Sequence, residues 1–189
     1  LVDCKSYRPI SLLPTRAKLF EKLSAKRLSE VVESAKIIPN YQFGFCSKHP
    51  TIKQVHRVTR TIREAIEKKQ HCPTPFLDVR QAFDKVWILG LLHKISKYLP
   101  KQYNQILNSY LYGRHFYVHY GEAKSNIKPI EASVAQESVL APHLYLLFTS
   151  DIPIHPQILT AIFADDLALA SPHEDYDVAV NNLQVIADD

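Results

Sequence analysis

The sequence predicts an α+β fold, and two contrasting patterns carry that prediction. Residues 15–35 and 51–70 place apolar side chains at helical spacing, whereas later residues form short apolar runs bounded by turn formers, most clearly at 159–171. With 189 residues, 46% of them hydrophobic and 22% charged, the chain has an ordinary globular composition. It is long enough for one sizeable core or two small lobes.

Composition argues against several classes of protein. No apolar run approaches the roughly 18 to 20 residues that a membrane span needs, and the first residues lack the layout of a signal peptide. Cys4, Cys46 and Cys72 are widely spaced and odd in number, so neither a disulfide framework nor a zinc site is indicated and a reducing compartment is expected. Because the sequence contains no methionine, we expect it to be a piece of a longer protein.

The charged residues are distributed unevenly along the chain. Residues 1–70 carry 15 Lys and Arg against 6 Asp and Glu, and residues 71–189 carry 8 against 13. A basic half that grips phosphates and an acidic half that gathers divalent cations would give this distribution. Two solvated helix faces would give it equally well.

The first predicted helix, 15–35, has Thr15 as a possible N-cap and an apolar face. Its opposite side carries Lys18, Lys22 and Lys26, each four residues apart, which is either a solvated face or a surface for phosphates. The apolar face is predicted to comprise Leu19, Phe20, Leu23, Leu28, Val31, Val32 and Ala35.

The second predicted helix, 51–70, is also basic on its outer side. Tyr41, Phe43 and Phe45 lie in the loop before it, where they either stack on bases or form local core. The predicted apolar residues of the helix are Ile52, Val55, Val58, Ile62 and Ile66, and its basic residues are Lys53, Arg57, Arg60 and Arg63.

A short strand is predicted at 76–79, with Asp78 inside an otherwise apolar run. A buried carboxylate without a partner costs several kcal/mol, so Asp78 must meet solvent, a cation or a hydrogen-bond cluster at a strand end. The remaining predicted elements are helices at 89–99 and 102–112 split by Pro100, an antiparallel ribbon pairing 115–120 with 127–134 around Gly121, a helix at 134–148 with Pro142 near its first turn, and a weak helix at 175–189.

Asp165 and Asp166 separate the two apolar runs of the predicted hairpin. A two-residue β-turn accepts Asp, so turn formation alone explains the pair. However, adjacent carboxylates repel one another unless a cation lies between them, and Asn-Gly would make the same turn without that repulsion. A metal site is therefore the second hypothesis for this turn.

Asp78 on one strand and Asp165 with Asp166 on a later hairpin together have the layout of a two-metal phosphoryl-transfer site. In such sites carboxylates from neighbouring strands hold two Mg²⁺ roughly 3.5–4 Å apart. Because Mg²⁺ takes only one or two carboxylates in addition to substrate oxygens, three aspartates suffice. A phosphatase or nuclease could use the same acids, and the basic first lobe favours a polymeric substrate.

Five motifs occur in order along the chain. They are Ser6-Tyr-Arg-Pro-Ile-Ser-Leu-Leu13, Gln42-Phe-Gly-Phe45, Phe76-Leu-Asp-Val79 with Gln81-Ala-Phe-Asp84, Gln136 with Ser138-Val-Leu140 and Pro142, and Phe163-Ala-Asp-Asp166. Taken together, they resemble the motifs of the reverse transcriptases of non-LTR retrotransposons, and most closely those of the jockey clade. The resemblance covers essentially the whole chain.

The resemblance implies the fingers and palm of a right-hand polymerase, with fingers at 1–70, an antiparallel palm sheet with packed helices at 71–189, and the thumb absent. It implies catalytic metal ligands at Asp78, Asp165 and Asp166, with Asp166 the more peripheral, and two Mg²⁺ as cofactors that Mn²⁺ could replace. Implied partners are an RNA template, a DNA primer and deoxynucleoside triphosphates. No membrane partner is expected, and the endonuclease and thumb regions of the parent polyprotein are expected to be missing. The implied location is intracellular, and nuclear for the parent element.

The resemblance also assigns roles around those ligands. The backbone at Val79 would touch a metal, Phe83 would exclude a ribose 2′-hydroxyl unless it is a plain core aromatic, and Gln136 would lie against the pair of template base and nucleotide. Arg8 and Lys48 would belong to the basic fingers, near primer-template or triphosphate.

Three positions depart from the family pattern. Cys46 stands where the family has an arginine, and Glu137 and Ala141 stand where it has glycines. A cysteine cannot pair with a phosphate, and Glu137 would bring bulk and negative charge beside a triphosphate. We therefore expect little or no polymerase activity from this chain. The alternative is a non-catalytic remnant that still binds nucleic acid.

Overall fold

The computed structural model describes residue 11 and residues 13–47 and 49–188. Its helices are α1 (Thr15–Ser34), α2 (Thr51–Glu67), α3 (Ile88–Tyr98), α4 (Lys101–Leu111), α5 (Ala141–Phe148) and α6 (Tyr176–Asp188). Its strands are β1 (Phe76–Asp78), β2 (His115–Phe116), β3 (His119–Tyr120), β4 (Ala123–Lys124), β5 (Lys128–Pro129), β6 (Leu159–Phe163) and β7 (Asp166–Ala170). All paired strands among the described residues are antiparallel, which confirms the α+β prediction with antiparallel sheets.

The chain forms two compact units, each made of two separate segments. One comprises residues 1–37 and 81–149, and the other comprises 38–80 and 150–189. These units do not follow the single cut near residue 71 that the charge distribution suggests. The assignment of 1–70 to fingers and 71–189 to palm concerns polymerase subdomains and stays a prediction.

The first unit, residues 1–37 and 81–149, is mainly helical. Helix α3 packs against both α4 and α5, and α1 packs against α5. Its interior consists mainly of aliphatic side chains that are not accessible to solvent, and this burial is its main source of stability. The fully buried aliphatic residues of these helices are Leu28, Leu91, Ile95, Leu111, Leu144 and Leu147.

Helix α1 buries only part of the predicted apolar face. Leu28 and Val32 are buried as predicted, whereas Leu19 is 60% exposed and Leu23 is 58% exposed. The full buried set is Glu21, Ala25, Leu28 and Val32, which follow one another at intervals of three or four. Thr15 is the first helical residue and not the cap; Pro14 occupies the N-cap position without a side-chain hydrogen bond.

The second unit, residues 38–80 and 150–189, is built on a three-stranded sheet with strand order β1-β7-β6. Alternate residues of β7 point to opposite faces. Ala168 packs with Val58 of α2, while the next residue, Leu169, packs with Ile186 of α6. Helices α2 and α6 therefore cover opposite faces of this sheet.

Helix α2 packs against the sheet with a narrow set of its own residues, which are small or polar. Its buried residues are Gln54, Val58 and Ala65. Of the five predicted apolar positions, Ile52 is 76% exposed and Ile66 is 68% exposed. Helical spacing thus predicted the element but assigned too many side chains to the core.

The predicted ribbon after α4 exists but is interrupted. Strand β3 pairs with β4 across the turn at Gly121, and β2 pairs with β5. The partner strands lie within 123–129, earlier than the predicted 127–134. Between the two pairs, the backbone N–H of Val118 donates to the Ser125 hydroxyl, which satisfies the backbone where the strand pairing breaks.

The last two helices each have, at or just before the first turn, a residue that favours the start of a helix. Pro142 lies in the first turn of α5, as predicted, because a proline there lacks only an N–H that has no helical partner. The Asp175 carboxylate accepts from the backbone N–H groups of Asp177 and Val178 at 2.8 and 3.2 Å, and so caps α6. No helix in the described part of the chain has the length and apolar character for crossing a membrane.

Candidate metal and nucleotidyl-transfer site

Asp78 and Asp166 lie directly opposite each other on neighbouring strands of the second unit. Asp78 is the last residue of β1, Asp166 is the first residue of β7, and the antiparallel register pairs them. Residues paired in this way point to the same face with Cβ atoms about 4.5–5.5 Å apart. Both side chains are exposed at the strand ends, as predicted for Asp78.

The turn of the hairpin formed by β6 and β7 is one residue earlier than predicted. Phe163 and Asp166 are paired across the hairpin, so the two loop residues are Ala164 and Asp165 and not Asp165 and Asp166. Ala164 has φ of 61°, and no positive φ occurs at Asp165. This is the pattern of a type II′ turn, in which glycine usually takes the first central position. The shift moves Asp166 into the strand, where it faces Asp78.

Asp165 is half-buried in the turn, and its backbone joins the hairpin to the end of β1. The Val79 N–H donates to the Asp165 carbonyl oxygen at 3.3 Å. Val79, Asp78, Asp165 and Asp166 therefore meet at one end of the sheet. The resemblance to reverse transcriptases implied this grouping, and the strand register gives it a physical cause.

The carboxylates suit a hard divalent cation. Two like charges directly opposite each other destabilise a strand pair, and a cation between them would remove that repulsion. None of the three carboxylates forms an ion pair with another described residue. No group of three Asp, Glu, His or Cys side chains in the described ranges is already gathered for a metal ion. A carboxylate pair nevertheless suffices for Mg²⁺ that also binds substrate phosphate oxygens.

A groove of about 410 Å³ runs between α2 and the sheet beside these carboxylates. Val55, Val58 and Ile62 form its helical side, and Asp78 and Asp166 lie among its sheet residues. The lining is mainly apolar, so the two carboxylates stand at the border of an apolar surface.

The outer edge of β6 is covered by residues 41–46, which we call the 41–46 loop. The Phe43 N–H donates to the Ile162 carbonyl at 2.8 Å, and the Ile162 N–H donates to the Tyr41 carbonyl at 2.9 Å. These bonds occupy groups that an edge strand otherwise leaves free. Phe43 is buried and so belongs to local core, whereas Phe45 is 47% exposed.

Gly44 is required by close backbone contact. A Cβ at this residue would lie 2.0 Å from the Ala164 nitrogen, which no rearrangement of a flexible side chain could relieve. The sequence showed the glycine within a motif but gave no reason for it. Gln42 and Gln54, both buried, were also missed as structural residues, because a lone glutamine carries no periodic signal.

Two other predicted site residues, Phe83 and Gln136, belong to the first unit. The Phe83 ring packs against Tyr145, with ring centroids 5.1 Å apart. The Gln136 side-chain amide donates to the Asp84 carboxylate at 2.9 Å. Phe83 is half-buried, so part of its ring is in the core and part is accessible to solvent.

The segment after Gln136 is held by a buried carboxylate that the sequence did not reveal. Glu21 accepts from the Tyr110 hydroxyl at 2.5 Å, from the Ser138 hydroxyl at 3.0 Å and from the Val139 N–H at 2.9 Å. Burial, and then the bond to Glu21, raise the pKa of Tyr110 to about 12. Glu21 thus fixes the backbone that follows Glu137.

Glu137 and Ala141, which replace family glycines, differ in conformation. Glu137 has φ of 65°, a region that glycine adopts freely and that other residues adopt at a cost. Ala141 is the buried first residue of α5, where alanine is not strained by its backbone. The structure therefore gives a backbone reason for glycine at 137 only.

Part of the predicted basic surface of α2 is engaged locally. Arg60 forms an ion pair with Glu64 at 2.6 Å. Arg57 donates to the Gln54 side chain at 2.7 Å and lies over the Phe43 ring, and partial burial lowers its pKa. These two arginines therefore have local structural roles. Arg8 and Lys48 lie outside the described residues.

Comparisons with known proteins identify the family to which this chain is similar. A family model described as reverse transcriptase (RNA-dependent DNA polymerase) matches residues 2–188. The RNA-directed DNA polymerase from mobile element jockey of Drosophila melanogaster is 42% identical over 98% of this chain, which corresponds to 21% of the relative. Probable RNA-directed DNA polymerases from transposon BS and transposon X-element of the same species are 43% and 44% identical, each over 87% of this chain and 19% of the relative. The chain spans about one fifth of the length of these curated relatives.

Proposed function

The chain belongs to the reverse transcriptase family, and from that premise we propose that it carries the metal-binding carboxylates of a non-LTR retrotransposon polymerase. Asp78, Asp165 and Asp166 are the proposed ligands. The observation that carries the proposal is the register that places Asp78 opposite Asp166. Among the described residues, no basic side chain forms an ion pair with either carboxylate. The proposed reaction joins a deoxynucleotide to a primer 3′-hydroxyl along an RNA template.

Reverse transcriptases use divalent metals, and two Mg²⁺ at such carboxylates would assist attack by the primer hydroxyl and departure of pyrophosphate. The contribution of this chain is to hold the carboxylates in place. Strand pairing sets Asp78 and Asp166 side by side, and the Val79 N–H fixes the Asp165 backbone. Prior positioning of this kind reduces the reorganisation needed during reaction.

The finer assignments follow from the same proposal. Residues 1–70 would serve as fingers and 71–189 as palm. Phe83 would select deoxynucleotides by excluding a 2′-hydroxyl, and Gln136 would contact the template base and nucleotide. The bond from Gln136 to Asp84 supports a preset orientation for that amide.

We expect this copy to extend primers poorly. Cys46 removes a phosphate-binding cation, and Glu137 adds a negative charge where the family has glycine. The strained φ of Glu137 supports the view that glycine is the residue suited to that backbone.

Primer extension on an RNA template with Mg²⁺ and deoxynucleotides tests the proposal. The unaltered chain should extend little, and the combined change Cys46→Arg, Glu137→Gly and Ala141→Gly should raise nucleotide affinity and extension. Adding Asp165→Asn to that variant should abolish the gain. Extension that survives Asp165→Asn would show that this carboxylate has no catalytic role, and robust extension by the unaltered chain would refute the account of the three departures.

Helix α1 supports a second candidate function, nucleic-acid binding without turnover. Lys18, Lys22 and Lys26 are all exposed on it, on successive turns. Binding of RNA through such residues weakens steeply as salt rises. RNA retention that falls with salt, that depends on these lysines and that occurs without extension by the reverted variant would favour this candidate.

A further inference from the structure

The Gln42 side chain forms hydrogen bonds with both backbone polar groups of a single residue, Ala164, in the turn between β6 and β7. Its side-chain oxygen accepts from the Ala164 N–H at 3.2 Å, and its side-chain nitrogen donates to the Ala164 carbonyl at 3.3 Å. The same oxygen accepts from the Gly44 N–H at 2.9 Å. Only a side-chain amide offers a neutral donor and acceptor side by side for such a pair of bonds. Gln42 itself is 4% exposed, so these bonds are shielded from water.

The backbone around Gln42 leaves this side chain little freedom. Residues 41 and 43 are bonded to Ile162 on the edge of β6, two residues before Ala164. Gln54 donates to the carbonyls of Tyr41 and Ile162 at 2.8 and 2.9 Å. The 41–46 loop is thus fixed to the strand, and Gln42 extends from it to the turn.

Ala164 needs such support because of its conformation. A non-glycine residue at φ of 61° is disfavoured by contact between its Cβ and the backbone. The conformation of Ala164 sets the direction in which the chain passes through Asp165 into β7. It therefore sets which residue of the hairpin faces Asp78.

We propose that Gln42 is a positioning residue for the metal-binding carboxylates: by holding Ala164 at positive φ, it fixes Asp165 and the register of Asp166 opposite Asp78. This role rests on the proposed function, because only under the proposed function do those carboxylates bind a metal. Among the described residues, the Gln42 side chain forms hydrogen bonds with the backbone of Ala164 and Gly44 and none with the three carboxylates, so it acts through the backbone of the turn. Partners that orient metal ligands typically change metal affinity by about 10- to 100-fold when they are removed.

The test compares two glutamines that are both buried and both donate to backbone carbonyls. Gln42→Met removes the bonds to Ala164 while nearly keeping the side-chain volume. Gln54→Met, the matched control, removes bonds to Tyr41 and Ile162 but touches no group of residue 164. Gln42→Asn is a milder variant, since it keeps a buried amide that is one methylene too short to span both groups of Ala164.

Two quantities are measured on folded protein, with the far-ultraviolet circular dichroism of each variant as the check on folding. The first is Mn²⁺ affinity, from the free-ion signal in electron paramagnetic resonance, with Asp78→Asn defining binding at the carboxylates. The second is hydrogen exchange at the Ala164 amide without metal. We expect Gln42→Met to weaken Mn²⁺ binding at least about tenfold and to speed exchange at Ala164. Gln42→Asn should act in the same direction. Gln54→Met leaves the backbone bonds of residues 41 and 43 to Ile162 in place, so it should change both quantities much less than Gln42→Met does.

The outcomes separate this inference from the proposed function. If wild type binds Mn²⁺ through Asp78 and Gln42→Met binds it equally well, the positioning role is wrong and the metal site stands. Equal losses in Gln42→Met and Gln54→Met would also overturn the positioning role, because they would reflect general loosening. If wild type shows no binding that depends on Asp78, the proposed metal site fails and the role of Gln42 fails with it, even where exchange at Ala164 responds to the variant.

Discussion

Replacing Glu137 by glycine should stabilise the chain, although a glycine in place of another residue usually destabilises. Glu137 has φ of 65° and an exposed side chain, so Glu137→Gly relieves backbone strain while removing little packing. The neighbouring backbone is fixed through the bonds from Ser138 and Val139 to Glu21, so it cannot relax readily to a negative φ.

Two opposing terms determine the size of the effect. A non-glycine residue in the left-handed region costs about 1–2 kcal/mol. Glycine loses more backbone entropy on folding, which costs about 0.5–1 kcal/mol. The free energy of unfolding should therefore rise by about 0.5–1 kcal/mol, or about 1–4 °C in melting temperature for a chain of this size.

Urea unfolding followed by circular dichroism measures this difference. Glu131→Gly is the matched control, because Glu131 is also exposed but has no positive φ, and it should lower the free energy of unfolding by about 0.5–1 kcal/mol. If Glu137→Gly destabilises the chain as much as Glu131→Gly does, the strain at residue 137 does not exist and the conformational argument fails.

Three further predictions concern other parts of the structure. Gly44→Ala should lower the free energy of unfolding by at least about 2 kcal/mol, because the added Cβ would clash with the Ala164 backbone. Gly113→Ala is the control: Gly113 has φ of 72° but no neighbouring atoms near its Cβ position, so this change should lower the free energy of unfolding by only about 1 kcal/mol in the same urea titration. Wild type should lose stability as pH rises from about 10 towards about 12, because the pKa of Tyr110 in the folded chain is raised to about 12. Tyr110→Phe should reduce this dependence of stability on pH, which thermal unfolding at a series of pH values measures. If the dependence is unchanged in Tyr110→Phe, other groups cause it. Asp166→Asn should raise the melting temperature without metal by removing repulsion from Asp78, and should abolish the rise that Mn²⁺ gives wild type; an undiminished Mn²⁺ effect would place the bound ion elsewhere.

The elements of the fold were largely predictable because they depend on local pattern. Helical spacing predicted α1 to α4 within a few residues, and the position of Pro142 was anticipated. The hairpin at 159–170 was also predicted, but its turn was misplaced by one residue. Aspartate tolerates positive φ better than alanine does, so local preference favoured a turn at Asp165 and Asp166. Tertiary bonds from the 41–46 loop favour the turn at Ala164 and Asp165 instead.

Buried faces were harder to predict than elements. Hydrophobicity suggested that Leu19 and Leu23 point inwards, but α1 buries Glu21 among Ala25 and Leu28. The carboxylate is tolerated because three donors from distant residues surround it, and no pattern within the helix could reveal those donors.

The sequence predicted which carboxylates lie together at the candidate site, but it did not predict the residues that support them. Carboxylates in apolar runs stand out, and the strand register now explains how Asp78 meets Asp166. Gln42 and Gly44 gave no such signal in the sequence, because the contacts that make them important are with a turn more than a hundred residues away.

The interleaving of the two units has a consequence for synthesis on the ribosome. Strand β1 emerges early, but β7, its partner in the sheet, is made almost ninety residues later, after the whole of 81–149. Until then the backbone groups of β1 that bond to β7 have no strand partner, and an unpaired strand is a surface prone to association. Pairing over such a separation is also intrinsically slow. The carboxylate site therefore cannot form in a nascent chain until residues 159–170 have been made, and chains that stall before residue 159 should be prone to aggregate or to require chaperones.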